Sequence, residues 1–397
     1  MSRGEGSPLD QARRALELGA LKRAEYLLRQ IGDTSGEGAE AVLDDLLRLA
    51  GLWQQSGKTV RAARLYGEVV ERIERLRGGD SRELIEPLRR RANALLETDL
   101  PHEQACDPAE ECYRRALELQ GRHFGEGTLE AGWMLLDLTD LIQDHERCDE
   151  AEELARRAWD IGRGHAWEDP ALFFEATDWL VWWYEAHQEW HSGRGLLERS
   201  LELAGDLLGA DHPRVAELMG GLANMMLQED RDVEEADRLC ARGIELLVRA
   251  YGDMPVSTDL WPRAADEVAQ MRLVLSSLHS IRAHAAFLRN ELLGCRFLLN
   301  RALLLLDIPD DELSAELKAS LAAAHGTTYQ ALAHLATEQN DHVEAERLYQ
   351  RALASSEEAD PDRFASLLED YAAWLEDRGR HNEAEQARKE AEDVRNG

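Results

Sequence analysis

The amino-acid sequence predicts an all-α chain, an α-solenoid of about nine helix pairs, and three observations carry that expectation. A small residue, followed by further core-type residues at +4 and +7, returns nine times along the 397 residues. That spacing is one face of a helix, with small side chains where a neighbouring helix must come close. The returns are 38, 47, 42, 42, 43, 59, 50 and 39 residues apart, a period of the kind that marks stacked supersecondary units. No stretch sustains the period-two alternation of a strand. An array also fits the length, because stacked pairs share a core between neighbours and need no single centre.

The small position falls in turn at Ala24, Ala62, Ala109, Ala151, Gly193, Ala236, Cys295, Ala345 and Ala384. An apolar helix precedes it, as in Leu46-Leu49-Ala50-Trp53, Leu135-Leu138-Ile142, Met219-Leu222-Ala223-Met226 and Tyr329-Leu332-Ala333-Ala336. Gly57, Asp149, Gly193, Asp232, Asp341 and Gly379 are expected to divide the two helices of a pair, and Gly162-Arg163-Gly164 and Gly193-Arg194-Gly195 read as turns. Extra residues near Pro101-His102-Glu103 are expected to lengthen the turn before Ala109. A larger surplus lies between Ala236 and Cys295 and contains Met254-Pro255 and Trp261-Pro262. It predicts a long loop or an extra short helix, with residues 252–268 the least regular of the chain. The organisation expected is one array over 1–397, made of N-terminal repeats 9–100, acidic and Trp-rich central repeats 101–250, an irregular Pro-containing insertion 251–270 and C-terminal repeats 271–397.

These residues resemble the tetratricopeptide repeat, whose second helix carries Ala, Phe/Tyr and Ala at 0, +4 and +7. The ~42-residue units, with Leu208-Gly209-Ala210-Asp211-His212-Pro213 leading into Leu218 and Leu222-Ala223-Asn224, look more like the longer repeats of kinesin light chains and their bacterial relatives. The resemblance runs over roughly residues 9–394. It implies a right-handed superhelix of helix pairs that holds protein partners on its inner face.

Charge narrows the function. The formal net charge is −32, and residues 101–250 alone carry 34 acidic against 14 basic side chains. A chain this acidic repels nucleic acid and anionic membrane. Its central acidity reads either as steering for a basic partner or as a solvated surface of a salt-adapted organism. No run approaches the ~20 apolar residues of a membrane span. The opening Met1-Ser2-Arg3-Gly4-Glu5-Gly6 has no apolar core of a signal peptide, so the expected address is cytoplasmic. Four lysines against 42 arginines suit GC-rich, bacterial coding. They also leave nothing to build the Lys/Asn/Lys/Arg clamp that the resemblance associates with chaperone C-termini.

Catalytic and cofactor motifs are scarce. Cys106, Cys112, Cys148, Cys240 and Cys295 lack CxxC spacing, so neither a disulfide framework nor zinc is indicated. His187 and His191 are four apart, but the order is not HExxH and the pair straddles an expected helix end. The glycine stretches lack the strand and the Lys-Ser/Thr of a phosphate cradle. No metal, no cofactor and no enzymatic activity are expected.

Aromatic residues say more. Six of ten tryptophans lie between Trp159 and Trp190, and one helix reads Phe173-Phe174-Glu175-Ala176-Thr177-Asp178-Trp179-Leu180-Val181-Trp182-Trp183-Tyr184. With Leu180 and Tyr184 at the packing positions of the family, the resemblance places Glu175, Asp178, Trp182 and Glu185 on the inner groove, Trp133, Leu136, Asp140 and Asp144 in the preceding repeat, and Glu217 and Asn224 in the following one. An acidic groove with exposed Trp suits a basic or amphipathic segment of a protein partner, through cation–π contact and charge steering. The bland alternative is that Trp179, Trp182 and Trp183 fill the core of a thick repeat. The sequence therefore predicts a non-catalytic scaffold or adaptor, with a regulatory subunit of a bacterial signalling or defence system as a specialisation. A metal-dependent sensor or enzyme around His187 and His191, and a self-assembling structural element, are the alternatives.

Overall fold

The computed structural model describes residues 7–31, 37–98, 100–143, 147–229, 232–251, 265–308, 313–356 and 361–396. Eighteen α-helices occupy them: α1 (Pro8–Glu17), α2 (Leu21–Ile31), α3 (Glu37–Gln55), α4 (Thr59–Arg77), α5 (Ile85–Leu96), α6 (His102–Phe124), α7 (Leu129–Ile142), α8 (Cys148–His165), α9 (Ala171–Ala186), α10 (Trp190–Leu208), α11 (Pro213–Gln228), α12 (Val233–Tyr251), α13 (Ala265–Leu288), α14 (Leu292–Leu306), α15 (Ala315–Glu338), α16 (His342–Ser356), α17 (Pro361–Glu376) and α18 (His381–Asn396). Odd-numbered helices are the first and even-numbered helices the second members of nine sequential pairs. The chain divides into two compact units, Met1–Leu180 and Val181–Gly397.

The recurring small face explains the pairing. Ala24, Ala62, Ala109, Ala151, Ala236 and Ala345 are all fully buried, and Cys295 and Ala384 nearly so. The +4 position is a buried Tyr66, Tyr113, Leu197, Leu299 or Tyr349, and the +7 position a buried Ala116, Ala158, Ala302 or Ala352. In the first unit the tyrosine at +4 reaches into its repeat, as Tyr113 does when its hydroxyl donates to Asn93 Oδ1 at 2.7 Å. In the second unit Tyr349 likewise donates to Asp370 Oδ2 at 3.1 Å. An apolar ring with one satisfied hydroxyl fills the space between helices at little polar cost.

Six of the turns within pairs, at Gly19, Gly57, Gln188, Asn290, Asn340 and Gly379, share one geometry, and it corrects several sequence expectations. Five residues before the small position the backbone turns left-handed: Gly57 and Gly379 at φ 71° and 72°, and Gln188, Asn290 and Asn340 at 58°, 61° and 57°. The next amide closes a six-residue ring onto the first helix, as in Lys58 N to Trp53 O, Glu189 N to Tyr184 O and Asp341 N to Ala336 O, each 2.9 Å. This is the Schellman termination, which satisfies carbonyls a helix end would otherwise orphan. Gly193 and Asp149 are therefore not turn residues, because both lie inside second helices. Asp341 follows the left-handed Asn340, and its carboxylate accepts from Glu344 N at 3.2 Å.

The glycine pairs are helical as well. A Cβ on Gly162 would come 2.7 Å from Phe173 N, and one on Gly193 would come 2.7 Å from the Met225 methyl. Glycine there buys close approach of helices rather than a bend. Pro101 precedes α6 instead of lengthening a turn, and α6 runs through Pro108, adding helix ahead of the small position. Of the expected insertion 251–270, residues 252–264, with both of its prolines, lie outside the described residues. Residues 265–270 are regular helix at the start of α13. No described helix is long and apolar enough to cross a membrane.

Candidate functional site

In the second unit the first helices lie side by side, α11 against α13 and α13 against α15. They and their partners enclose a cavity of about 600 Å³, lined from α9, α11, α13, α14, α15 and α17. Ile281, Phe287, Leu299 and Ala331 give it apolar walls, and Ser277, Ser280, His284, Thr327 and His334 supply hydrogen-bonding groups.

Two sequence-predicted site residues meet here. Glu185 of α9 and Asn224 of α11 both line the cavity, and Asn224 Nδ2 donates to Glu185 Oε1 at 2.8 Å. Burial pushes the Glu185 carboxyl above the ordinary range, opposed in part by the Asn224 amide. A carboxylate held in this low-dielectric setting by a neutral amide gains strongly from an arriving cation. Across the cavity, His334 Nε2 sits 2.6 Å from Asp370 Oδ2, which also accepts from Gln330 at 3.1 Å. Burial works against the charge on Asp370, but His334, Gln330 and Tyr349 together hold its carboxyl below its usual value. Arg363 of α17 donates to Thr327 Oγ1. The wall thus carries a carboxylate at its α9 end and a guanidinium at its α17 end.

The other predicted residues of this unit stand apart from the cavity. Trp182 is 52% exposed, whereas its neighbour Trp183 is 3% exposed and the ring of His187 stacks on it with centroids 4.0 Å apart. Trp179 is half-buried, so the three tryptophans divide between core and surface. Glu217 bonds Arg214 at 2.7 Å. His187 and His191 take separate partners: His187 Nδ1 is 2.9 Å from Trp183 O, and His191 lies 3.4 Å from Glu229. Among the described residues, no group of three or more His, Cys, Asp or Glu is placed to hold a metal.

In the first unit Glu175, Asp178 and Asp140 are exposed and Trp133 is half-buried. Asp144 lies outside the described residues. Beside Asp140 is a residue the sequence did not single out, Asp137, whose carboxyl burial raises despite the nearby Arg89. Ser277, His284, Thr327, His334 and Arg363 were also missed. Their only signal is their register on first helices, since none belongs to a motif.

Tetratricopeptide repeat is the family whose profile matches residues 326–359, from within α15 through the Asn340 turn and α16. The apo form of RapI superposes with a TM-score of 0.56 over 98% of this chain and 96% of that one, at 10% identity. Residues 326–359 thus match a tetratricopeptide repeat, and the whole chain shares its fold with RapI. The array also resembles a putative kinesin light chain of Podospora anserina with nearly identical repeats (18% identity, 53% of this chain and 97% of that one, TM-score 0.42). A third likeness is a Rap protein complexed with competence and sporulation factor (13% identity, 98% and 96%, TM-score 0.41). No curated protein sequence matches the array. Tetratricopeptide arrays are typical of protein–protein interaction and usually non-catalytic.

Proposed function

We propose that the chain is a non-catalytic tetratricopeptide-repeat scaffold that binds an extended segment of a protein partner in the cavity of its second unit. The observation that carries the reading is the composition of that cavity: about 600 Å³ of mixed apolar wall and hydrogen-bonding side chains, drawn from helices of five successive pairs. Concave space with apolar walls and a few convergent polar groups is what binding sites offer. A segment crossing several first helices would bury apolar side chains against Ile281, Phe287 and Ala331, and its backbone would meet Ser, Thr, Asn and His side chains. The Glu185–Asn224 pair suits a Lys, Arg or amino group of that segment. In the first unit, exposed Asp140, Glu175 and Asp178 offer further carboxylates to basic side chains, whose main effect is on encounter rate.

A random-peptide display selection on the intact chain tests this. Enriched peptides should bind the wild type and lose at least tenfold in affinity for Ser280→Trp, which fills the cavity from α13 without entering the core. Enriched peptides that bind Ser280→Trp equally well would place the binding surface elsewhere.

A further inference from the structure

We propose a second docking surface, on the opposite side of the repeats from the cavity: the outward face of α14, a short heptad seam that takes an amphipathic helix of another protein with acidic flanks. On that face Leu293 is 84% exposed, Phe297 69% and Leu304 58%. With Asn300 they are spaced 4, 3 and 4 residues apart, the alternation of a and d positions that keeps one stripe facing a partner helix. The stripe is about 16 Å long. It stands opposite Cys295, Leu299, Ala302 and Leu306, which the same helix buries in the core. A helix apolar on both sides in water is expected to be covered on both.

Comparison within the chain shows that the fold does not require this. Counted from the small position, the four seam residues correspond in α6 to Asp107, Glu111, Arg114 and Glu118, and in α8 to Asp149, Glu153, Arg156 and Asp160. There the outward face is charged and solvated, as the unpartnered side of a second helix should be. Single exposed apolar residues do occur at these places elsewhere, as Val60 in α4 and Val343 in α16, but only α14 among the described helices carries Leu, Phe and Leu together. Leu293 and Phe297 lie one turn apart, and Leu304 continues the stripe two turns beyond Phe297 with Asn300 between them.

The flanks select the occupant. Positions g and e beside the seam are Arg296 and Arg301, and α14 contains no acidic residue. Arg301 is exposed and makes no ion pair among the described residues, while Arg296 is steadied by a 2.8 Å bond to Gln339. Basic flanks pair with acidic flanks in heptad partners and reject basic ones. A second copy of α14 would bring arginine against arginine in either orientation. A lipid surface calls for a cluster of basic residues, and α14 carries only Arg296 and Arg301.

Binding of two fluorescent four-heptad peptides to the full chain tests the proposal, both with Leu at a and d, one with Glu and one with Lys at e and g. The Glu peptide should bind at least tenfold tighter than the Lys peptide. Phe297→Asp should weaken it at least tenfold with an unchanged melting midpoint, and Arg301→Glu should move the preference toward the Lys peptide. Equal binding of both peptides, or none at saturating concentration, would overturn the proposal. So would a concentration-dependent dimer abolished by Phe297→Asp, or Phe297-dependent cosedimentation with phosphatidylserine vesicles. Ser280→Trp should leave the result unchanged, which separates this surface from the cavity.

Discussion

His279 of α13 should give the folded array an acid-sensitive limb that a single substitution removes. Burial, reinforced by Arg301 and Arg282, lowers its imidazole pKa to about 4, and its Nδ1 has no hydrogen-bond partner among the described residues. An unfolded chain takes up the proton near pH 6.5, whereas the folded chain refuses it until about pH 4. Between those values the unfolded state binds more protons, so stability is complete above pH 6.5 and falls with pH. At 1.36 kcal/mol per pH unit the loss sums to about 3 kcal/mol by pH 4. His279→Met keeps an apolar side chain of similar bulk and deletes the proton site. Urea unfolding of both proteins from pH 7 to pH 4.5 should show the wild type losing stability faster than the variant. Carboxylates such as Asp370 titrate in both proteins and cancel in the difference. Parallel losses, or an imidazole resonance that titrates above pH 6, would refute the reasoning.

Two further substitutions probe the packing. Gly162→Ala should cost ~1–3 kcal/mol, because the new Cβ would lie 2.8 Å from Phe173 Cα on a rigid helix. Gly164→Ala, two residues on with nothing within 4 Å, should be neutral or gain up to ~1 kcal/mol of helix propensity; thermal unfolding that ranks them the other way would contradict the close approach of α8 and α9. Trp183→Ala should cost ~3–5 kcal/mol as a core truncation and Trp182→Ala within ~0.5 kcal/mol as a surface change, and equal falls in melting midpoint would mean that both rings are core.

Residues that pack were legible, and residues that only line space were not. Ala151 and Ala345 could be read from their own helices because the 0, +4 and +7 positions must be small or apolar wherever a second helix touches its neighbours. The error over Gly193 and Gly162 has the same origin. A Gly-x-Gly stretch reads as a turn by composition, but here the missing side chain admits Met225 and the Phe173 backbone, a tertiary fact with no local mark. The actual turn residues, Gln188 and Asn290, carry left-handed backbone without the glycine that would have announced it. The surplus near Pro101 reads as a longer turn but extends α6 instead, where Pro108 costs one hydrogen bond and one carbonyl contact that the surrounding helix absorbs. The cavity draws single residues from helices as far apart as α9 and α17. Glu185 and Asn224 were found through the register of the family; Thr327, His334 and Arg363 would have needed the same register carried through α15 and α17.

The repeat fixes only a few positions of each second helix, and the rest are free to differ without disturbing the stack. That freedom is why α6 and α8 can spend their outward faces on Asp, Glu and Arg while α14 spends the same places on Leu293, Phe297 and Leu304. Stability in such an array comes from nearest-neighbour interfaces, so a departure that leaves those interfaces intact is tolerated whatever its chemistry. The inward set of α14 keeps the rule, with Cys295 and Leu299 buried at 3% and 2% exposure, and the outward set breaks the pattern of its sister helices. Departures at fixed positions would be read as strain or compensation. Departures at free positions carry no folding penalty to explain them, which is why the outward face of α14 and the polar lining of the cavity are the two places proposed for partners.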